Sequence, residues 1–571
     1  MHPERRGRAW SAALALTLGL ALATGCRTRG GLVLSYTGGG AGEGGLAGTG
    51  LDAGSPGSAG TAGTGEVDSG AAGDDADTGG TPDAAVGAIT FYISPDGSDS
   101  NPGTSEAAPW RTFAHALPAL GPGSTLVLLD GTYTSATSGL LQIFCGTNAV
   151  NGTPAQPITV RALNERRAFI AGDGSGPPVE LSACANWVVD GLHVEEIDVP
   201  NEMGDEPGSV VVLTRCTNVL VRRVLAAHPN RYLTASAFVI AHGLPNVVIE
   251  ESEALDFHYY GFHAYDSQHA TFRRDYAHSR DTPDIAGGTP TASPTRGDGG
   301  FLLTKSSNGL IENCIAEDVA DGFTVRGSRV VQGGRVQPQR DQLLGDVANG
   351  VSHAGFVLDS QCNNTKPCTQ GDQIVSDATL VDDVSRGGAL GISFQGGVNI
   401  LITSASIFDT SDTGVSFSLD AENAGLQSSG FARMTLVTSP GSPVGFRSAG
   451  QMSWGCTSCN SFGPAQPFVP KDSHVVSATE VDPQLGGCLV VVPDASPVKT
   501  MGQVGAGGLG ANIVYQYVGG QLTTTKLWNQ TTGQFPCGAV VTGLNDATLA
   551  DVSCMGVGAR LHVGAMGCGI P

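Results

Sequence analysis

The chain has 571 residues, 83 of them glycine, and a formal net charge of −23. That balance excludes nucleic acid as a partner, because phosphate binding needs a basic face. It also means that an acidic polysaccharide would have to be met by a local basic patch or by a bridging cation. The length is enough for one large core or two.

Residues 1–26 read as a lipoprotein signal peptide. "MHPERRGRAW" is basic, "SAALALTLGLALA" is an apolar run too short to span a bilayer comfortably, and "LATGC" ends at Cys26. The small residues before Cys26 resemble a bacterial lipobox, with Ala23 in the place usually held by leucine. The resemblance implies lipidation of Cys26 and a membrane anchor for a body in the cell envelope or outside the cell. Plain cleavage beside a chance cysteine is the alternative.

Residues 27–88 follow as a Gly-, Ala-, Ser- and Asp-rich linker. "AGEGGLAGTGLDAGSPGSAGTAGTG" has almost nothing to bury, so it is expected to stay disordered as an acidic tether. Twelve cysteines lie beyond Cys26. In an exported chain they point to disulfides. Cys362 and Cys368 bracket "NNTKP" as a loop staple, and Cys456 and Cys459 form a CxxC. Zinc would need two more ligands at metal spacing nearby, so the CxxC reads as a disulfide.

The middle of the chain repeats. "AFVIAHGLPNVVIEESEALDF" from Ala237, "GFHAYDSQHATFRRDYAHS" from Gly261 and "GFLLTKSSNGLIENCIAED" from Gly300 share one plan, continued by "GFTVRGS", "GFVLDSQ", "GISFQGG" and "GVSFSLD". A small residue and an apolar residue open each unit, a polar turn follows, and a second β-rich run closes it. The step is 22 residues from Phe301 to Phe323 and 24 from Phe238 to Phe262. Longer steps hold insertions rich in turn residues. Short strands at a fixed period mean a solenoid. Helical periodicity is absent and leucine-rich spacing does not occur, which leaves an all-β parallel β-helix. Its inward residues should pile up as Phe238, Phe262, Phe301, Phe323 and Phe356. Asn246, Asn308 and Asn399 should fall at equivalent corners, where a polar residue satisfies backbone groups left by the turn.

"FYISPDGSDSNPGTSEAAPWRTFAHAL", "GSTLVLLDGTYT" and "PITVRALNERRAFIAGDG" resemble the opening of secreted right-handed parallel β-helix proteins of the pectate-lyase-like superfamily. The resemblance implies a right-handed helix over residues 89–515, with Trp110–Leu117 as an N-terminal capping helix. It also implies that "VDPQLGGCLVVVPDASPVKTMG" closes the helix. Residues 516–571 read as a small Cys-containing β-rich appendage.

Stacked coils bring distant residues within about 4.8 Å of one another on one wall. Counting four from each stacked aromatic gives His242, Asp266 and Lys305. Counting three gives Tyr265, Thr304, Arg326 and Asp359, which should face outward if the aromatic faces in. Locally, "KSSNGLIENC…DGFTVRG" resembles the lysine and arginine motifs of alginate lyases and chondroitinase B. That likeness implies β-elimination on a uronic acid, with Lys305 removing the C5 proton, Arg326 assisting the leaving group, and calcium neutralising the carboxylate. Asp298 stands seven residues before Lys305, but Gly300 occupies the place of that family's second acid. "DGGFLLTK" also approximates the Asp-Gly-Phe run of calcium-dependent pectate lyases. Asp298, Asp266, Asp318 and Asp321 are then the candidate calcium ligands, and His242, Tyr265 and Asp359 the candidate substrate contacts. A paired-carboxylate hydrolase site could come from Asp359 with Asp382 or Asp383.

Two readings stay open. One is a monomeric enzyme that cleaves acidic polysaccharide. The other is a non-catalytic surface protein that binds glycan or acts as a rigid rod. Lys305 is the base in the first and an ordinary solvated charge at a strand end in the second.

Overall fold

The computed structural model describes residues 89–528 apart from 200–206, 232–233, 280–281, 284–293, 296–297, 332–334, 337–338, 361–372, 419–427, 449–451, 471–473, 487–489 and 502–507. Cys26 and the staple Cys362–Cys368 therefore lie outside the described residues, as do the signal and linker.

Three long parallel sheets run the length of the body, with 14, 12 and 12 strands. We call them A, B and C in the order the chain visits them within a coil. One coil runs from Leu310–Glu312 in sheet A through Ile315–Glu317 in sheet B to Asp321–Arg326 in sheet C, and the next begins at Gln342–Leu344 in sheet A. Every pairing within these sheets joins consecutive coils, which is the parallel β-helix read from the repeat. Crossovers between parallel strands wind right-handed. In the first coil the short helix Phe113–Ala116 and the 3₁₀ turn Leu117–Ala119 replace the B and C strands and bury Phe113, Ala116 and Leu117. Thr112 caps that helix by accepting a hydrogen bond from the His115 amide.

The inward column is as the period requires. The rings of Phe238, Phe262, Phe301, Phe323 and Phe356 stack at centroid distances of 4.7, 4.8, 4.9 and 5.1 Å, all near parallel. The column then continues as Ile392 and Val415. Phe262, Phe301, Phe323 and Phe356 each follow a glycine because the corner is crowded, and Phe238 follows Ala237. A Cβ on Gly300 would lie 2.6 Å from Ala316 Cβ and 2.8 Å from the Gly322 carbonyl, and one on Gly322 would meet Ala348 Cβ at 2.6 Å. The glycine is thus needed where sheet C meets sheet B inside the coil.

The corner from sheet C to sheet A forces a left-handed backbone. Asn246, Asn308 and Asn399 have φ of 66°, 54° and 58°. The amide of Asn246 donates to Asn218, and that of Asn399 donates to Asp377. Inside the A-to-B corner, Asp275, Asp346 and Asp383 are fully buried and accept hydrogen bonds from backbone amides of their own and adjacent coils. Burial raises the pKa of all three.

The disulfide Cys456–Cys459 forms as the spacing suggested, and Cys145–Cys184 forms a second. Cys216 and Cys314 are buried free thiols, so the even count does not translate into complete pairing.

After Val476 the chain leaves the coil for a strap that includes a β-rich element where one was expected, within 515–526. Its described residues fold back along the outside of the coil. The Gly510 amide bonds to Met434, Ala511 to Ser406, Tyr517 to Asn313 and Gly520 to Glu312, so the strap runs back from later coils to the coil of Glu312 and Asn313. Val490, Val491, Ala511, Ile513, Leu527 and Trp528 cover Leu255, Tyr276, Ile315, Val347, Val384 and Phe408 on the outer face of sheet B. That face is apolar, so leaving it bare would cost roughly 25 cal/mol per Å² exposed. The hairpin Tyr515–Val518 with Gln521–Lys526 belongs to the strap.

Candidate functional site

Strand Tyr260–Tyr265 of sheet C pairs with Gly299–Thr304, which pairs with Asp321–Arg326, which pairs with Ala354–Asp359. The register places Tyr265, Thr304, Arg326 and Asp359 in one outward column. One residue further on, at the corner, lies the second column. His242 donates its amide to Tyr265, Asp266 to Thr304 and Lys305 to Arg326. His242, Asp266 and Lys305 all have φ near 50°. The left-handed conformation of Lys305 is therefore a demand of this corner and not strain peculiar to that lysine.

The two columns make specific pairs. Lys305 Nζ donates to the Tyr265 hydroxyl at 3.0 Å and sits 4.7 Å from the centre of the Tyr265 ring. Arg326 Nε donates to Asp359 Oδ2 at 3.1 Å, and both side chains are half-buried. Burial opposes the Arg326 charge, but Tyr260, Asp359 and Tyr259 outweigh it, and its pKa is raised. His242 Nδ1 and Asp266 Oδ2 are 3.1 Å apart and largely exposed.

The four candidate calcium carboxylates do not converge. Asp321 opens the strand that Arg326 ends, roughly 16 Å away along the backbone. Asp298 lies beside Asp321 on that same far edge, since its carbonyl accepts the Asp321 amide. Asp321 Oδ1 contacts His353 Nδ1 at 2.6 Å and accepts the Ala354 amide, and the pairing raises the His353 pKa. Asp318 stands 3.4 Å from His278, at the end of sheet B. Asp266 is on the opposite edge, with Lys305. Among the described residues no cluster of three or more acidic, histidine or cysteine groups is placed to hold a metal ion. The donors present do not fit a common calcium site, and no chemical step is routed through one.

The hydrolase pair is likewise taken apart. Asp383 lies inside the coil, where its Oδ1 accepts the Asp346 amide. Asp382 lies at the A-to-B corner and accepts the Tyr517 hydroxyl at 2.8 Å. Neither shares a face with Asp359.

Sequence reasoning missed the floor between the two pairs. His263, Thr304 and Thr324 point outward from adjacent strands of sheet C and are at least nine-tenths buried. Among the described residues His263 Nε2 and Thr304 Oγ1 have no hydrogen-bond partner, whereas Thr324 shares a side-chain hydrogen bond with Tyr260. Tyr259, Tyr260 and Tyr265 surround the imidazole at ring-centre distances of 6.1 to 6.3 Å. Burial, reinforced by the Arg326 charge, lowers the His263 pKa to about 4. The outward positions were legible from the period, but which of them are enclosed depends on packing. A separate groove of about 430 Å³ lies on the outer face of sheet A, along Asn186, Asn218 and Asn246, and no candidate residue lines it.

The architecture defines the class: a right-handed parallel β-helix. No family model matches the chain. It is 30% identical over 118 residues to the uncharacterized protein YwoF of Bacillus subtilis, covering 20% of this chain and 23% of that protein. It is 34% identical over 116 residues to pectate lyase PEL9 of Emericella nidulans, covering 20% of this chain and 26% of that protein. The matched stretch thus spans about a quarter of each curated relative. Among solved structures, pectate lyase Pel9A is 16% identical with a TM-score of 0.37, covering 77% of this chain and 90% of that one. The A-module of the Azotobacter vinelandii mannuronan C-5 epimerase AlgE4 is 14% identical with a TM-score of 0.45, covering 63% and 91%.

Proposed function

We propose that the outer face of sheet C binds a uronic acid-containing polysaccharide and cleaves it by β-elimination. One observation carries this reading. Lys305, Tyr265 and Arg326 stand on three consecutive coils of one face, with the lysine amine 3.0 Å from the tyrosine hydroxyl. The local likeness to a pectate lyase supports it.

In the proposed reaction the Lys305 amine takes the C5 proton. The C5–H electron pair forms the C4–C5 double bond, and the C4–O4 bond breaks. The departing oxygen takes a proton from the Tyr265 hydroxyl. The C5 proton is acidic enough only when the adjacent carboxylate charge is offset, and Arg326 supplies a fixed positive charge one coil away. Asp359 holds that guanidinium through Nε.

The test is near-ultraviolet absorbance of the unsaturated product with polygalacturonate, alginate or chondroitin sulfate, each with and without calcium. The wild type should generate signal on one of them, and Lys305→Ala should lower turnover by about 100-fold or more. No product on any substrate refutes the reading.

A non-catalytic glycan-binding or rod-like role is the second reading. It is favoured by the fact that Lys305 and Arg326 already have protein partners. Under it, wild type and Lys305→Ala bind glycan without cleaving it. We further propose export and membrane anchoring through Cys26, on the signal pattern alone. Among the described residues no helix is long and apolar enough to cross a membrane.

A further inference from the structure

We infer that His263 is a substrate-reading residue, whose unpartnered imidazole nitrogen hydrogen-bonds a glycan hydroxyl or carboxylate on the floor of the sheet C site. The inference rests on the reading of sheet C as the glycan site and adds a residue that the sequence motifs did not single out.

The argument starts from an imbalance. A buried polar atom without a partner costs roughly 1–3 kcal/mol, and folded proteins keep few of them. Here two occur together among the described residues, His263 Nε2 and Thr304 Oγ1, on adjacent strands of one face. The flanking outward residues in the His263 column are apolar: Val239 on the coil before and Leu302 on the coil after, both essentially fully buried. A leucine or valine at position 263 would therefore continue the column without loss of packing. The protein holds a histidine there instead, at a cost in stability.

The surroundings show what the histidine is suited to. Tyr259, Tyr260 and Tyr265 wall the ring, so it has little freedom to rotate. Thr304 lies between Tyr265 and Arg326 in the adjoining column, directly between the Lys305–Tyr265 and Arg326–Asp359 pairs. A glycan that meets Lys305 and Arg326 would lie over Thr304 and approach the imidazole past Tyr265. Burial and the Arg326 charge keep the imidazole neutral, so it presents one donor and one acceptor and adds no second cation beside the guanidinium. A polar floor left unpaired in the free protein and paired by the ligand discriminates strongly, because a ligand lacking the matching group leaves the penalty standing.

The test compares His263→Leu, His263→Gln and Lys305→Ala on polygalacturonate and alginate. His263→Leu should raise KM about tenfold with kcat changed less than about threefold, and should melt at a higher temperature than the wild type. His263→Gln, which keeps a neutral donor and acceptor, should recover most of the KM. A purely structural histidine would give the opposite pattern, with lowered melting temperature and unchanged KM. Wild-type KM in His263→Leu, while Lys305→Ala abolishes turnover, overturns the inference and leaves the lyase reading intact. If the wild type shows neither cleavage nor calorimetric binding of oligogalacturonate or oligomannuronate, both fall.

Discussion

Replacing Phe301 by alanine tests the stacked register on which the placement of every candidate residue depends. The Phe301 ring is fully buried and lies between Phe262 at 4.8 Å and Phe323 at 4.9 Å, nearly parallel to both. Truncating a buried phenylalanine to alanine costs about 3–5 kcal/mol in transfer and cavity terms. Two ring contacts are lost as well, each worth about 0.5–1.5 kcal/mol. The cost should come to roughly 4–6 kcal/mol if part of the cavity relaxes. Phe431→Ala is the internal control. That ring is 39% exposed on the outer face of sheet A, and its loss should cost less than about 1 kcal/mol. Phe301→Leu keeps most of the volume and should fall between the two, at about 1–2 kcal/mol. Equilibrium urea unfolding followed by circular dichroism and tryptophan fluorescence reads all three. If Phe301→Ala costs no more than Phe431→Ala, the ring is not in a column, and the common face of Tyr265, Lys305 and Arg326 goes with it.

Two further perturbations probe the buried acids and the strap. Burial raises the pKa of Asp341 and of Asp382 to about 6, from an ordinary carboxyl value near 3.8. A raised folded-state pKa gives stability that is complete below the unfolded value and is lost as pH climbs through the folded one. Melting temperature should therefore fall between pH 4.5 and 7.5, and Asp341→Asn with Asp382→Asn should flatten the slope. A wild-type melt that is constant over that window would contradict the burial argument. Tyr517→Phe removes the hydroxyl that bonds Asp382 at 2.8 Å. It should destabilise by about 1–2 kcal/mol and increase protease cutting within 509–528. An unchanged digestion pattern would mean that the strap is held by its apolar contacts alone.

Much of the candidate site was legible because a solenoid turns sequence distance into spatial distance. Once the period is set by Phe262, Phe301 and Phe323, the position three residues on must face outward, and Tyr265, Arg326 and Asp359 follow without coordinates. The corner position of Lys305, beside Asp266 and His242, follows in the same way. Counting could not locate residues across the strand. Asp298 and Asp321 are near Lys305 in sequence, yet they open the strands whose far ends carry Lys305 and Arg326. Asp382 and Asp383 are neighbours in sequence, but the corner between sheets A and B sends one outward to Tyr517 and the other into the core. The same limit hid His263. Its outward direction was predictable, whereas its enclosure by three tyrosines and the charge of Arg326 is a property of neighbouring coils.

The amino-acid order alone determined the coil, its glycine-and-phenylalanine seam and the polar corners, because each is a local requirement repeated every turn. A ring must point in, a corner must tolerate a left-handed backbone, and a crowded bend must lack a Cβ. Tertiary structure alone decided that the described residues after Val476 lie along sheet B. An apolar outer face of Leu255, Tyr276, Ile315 and Val347 needs a cover, and nothing in the repeat says which part of the chain supplies it. Tertiary structure also decided that Lys305 rests on Tyr265 and Arg326 on Asp359, because a side chain's partner depends on rotamers and on the coils above and below.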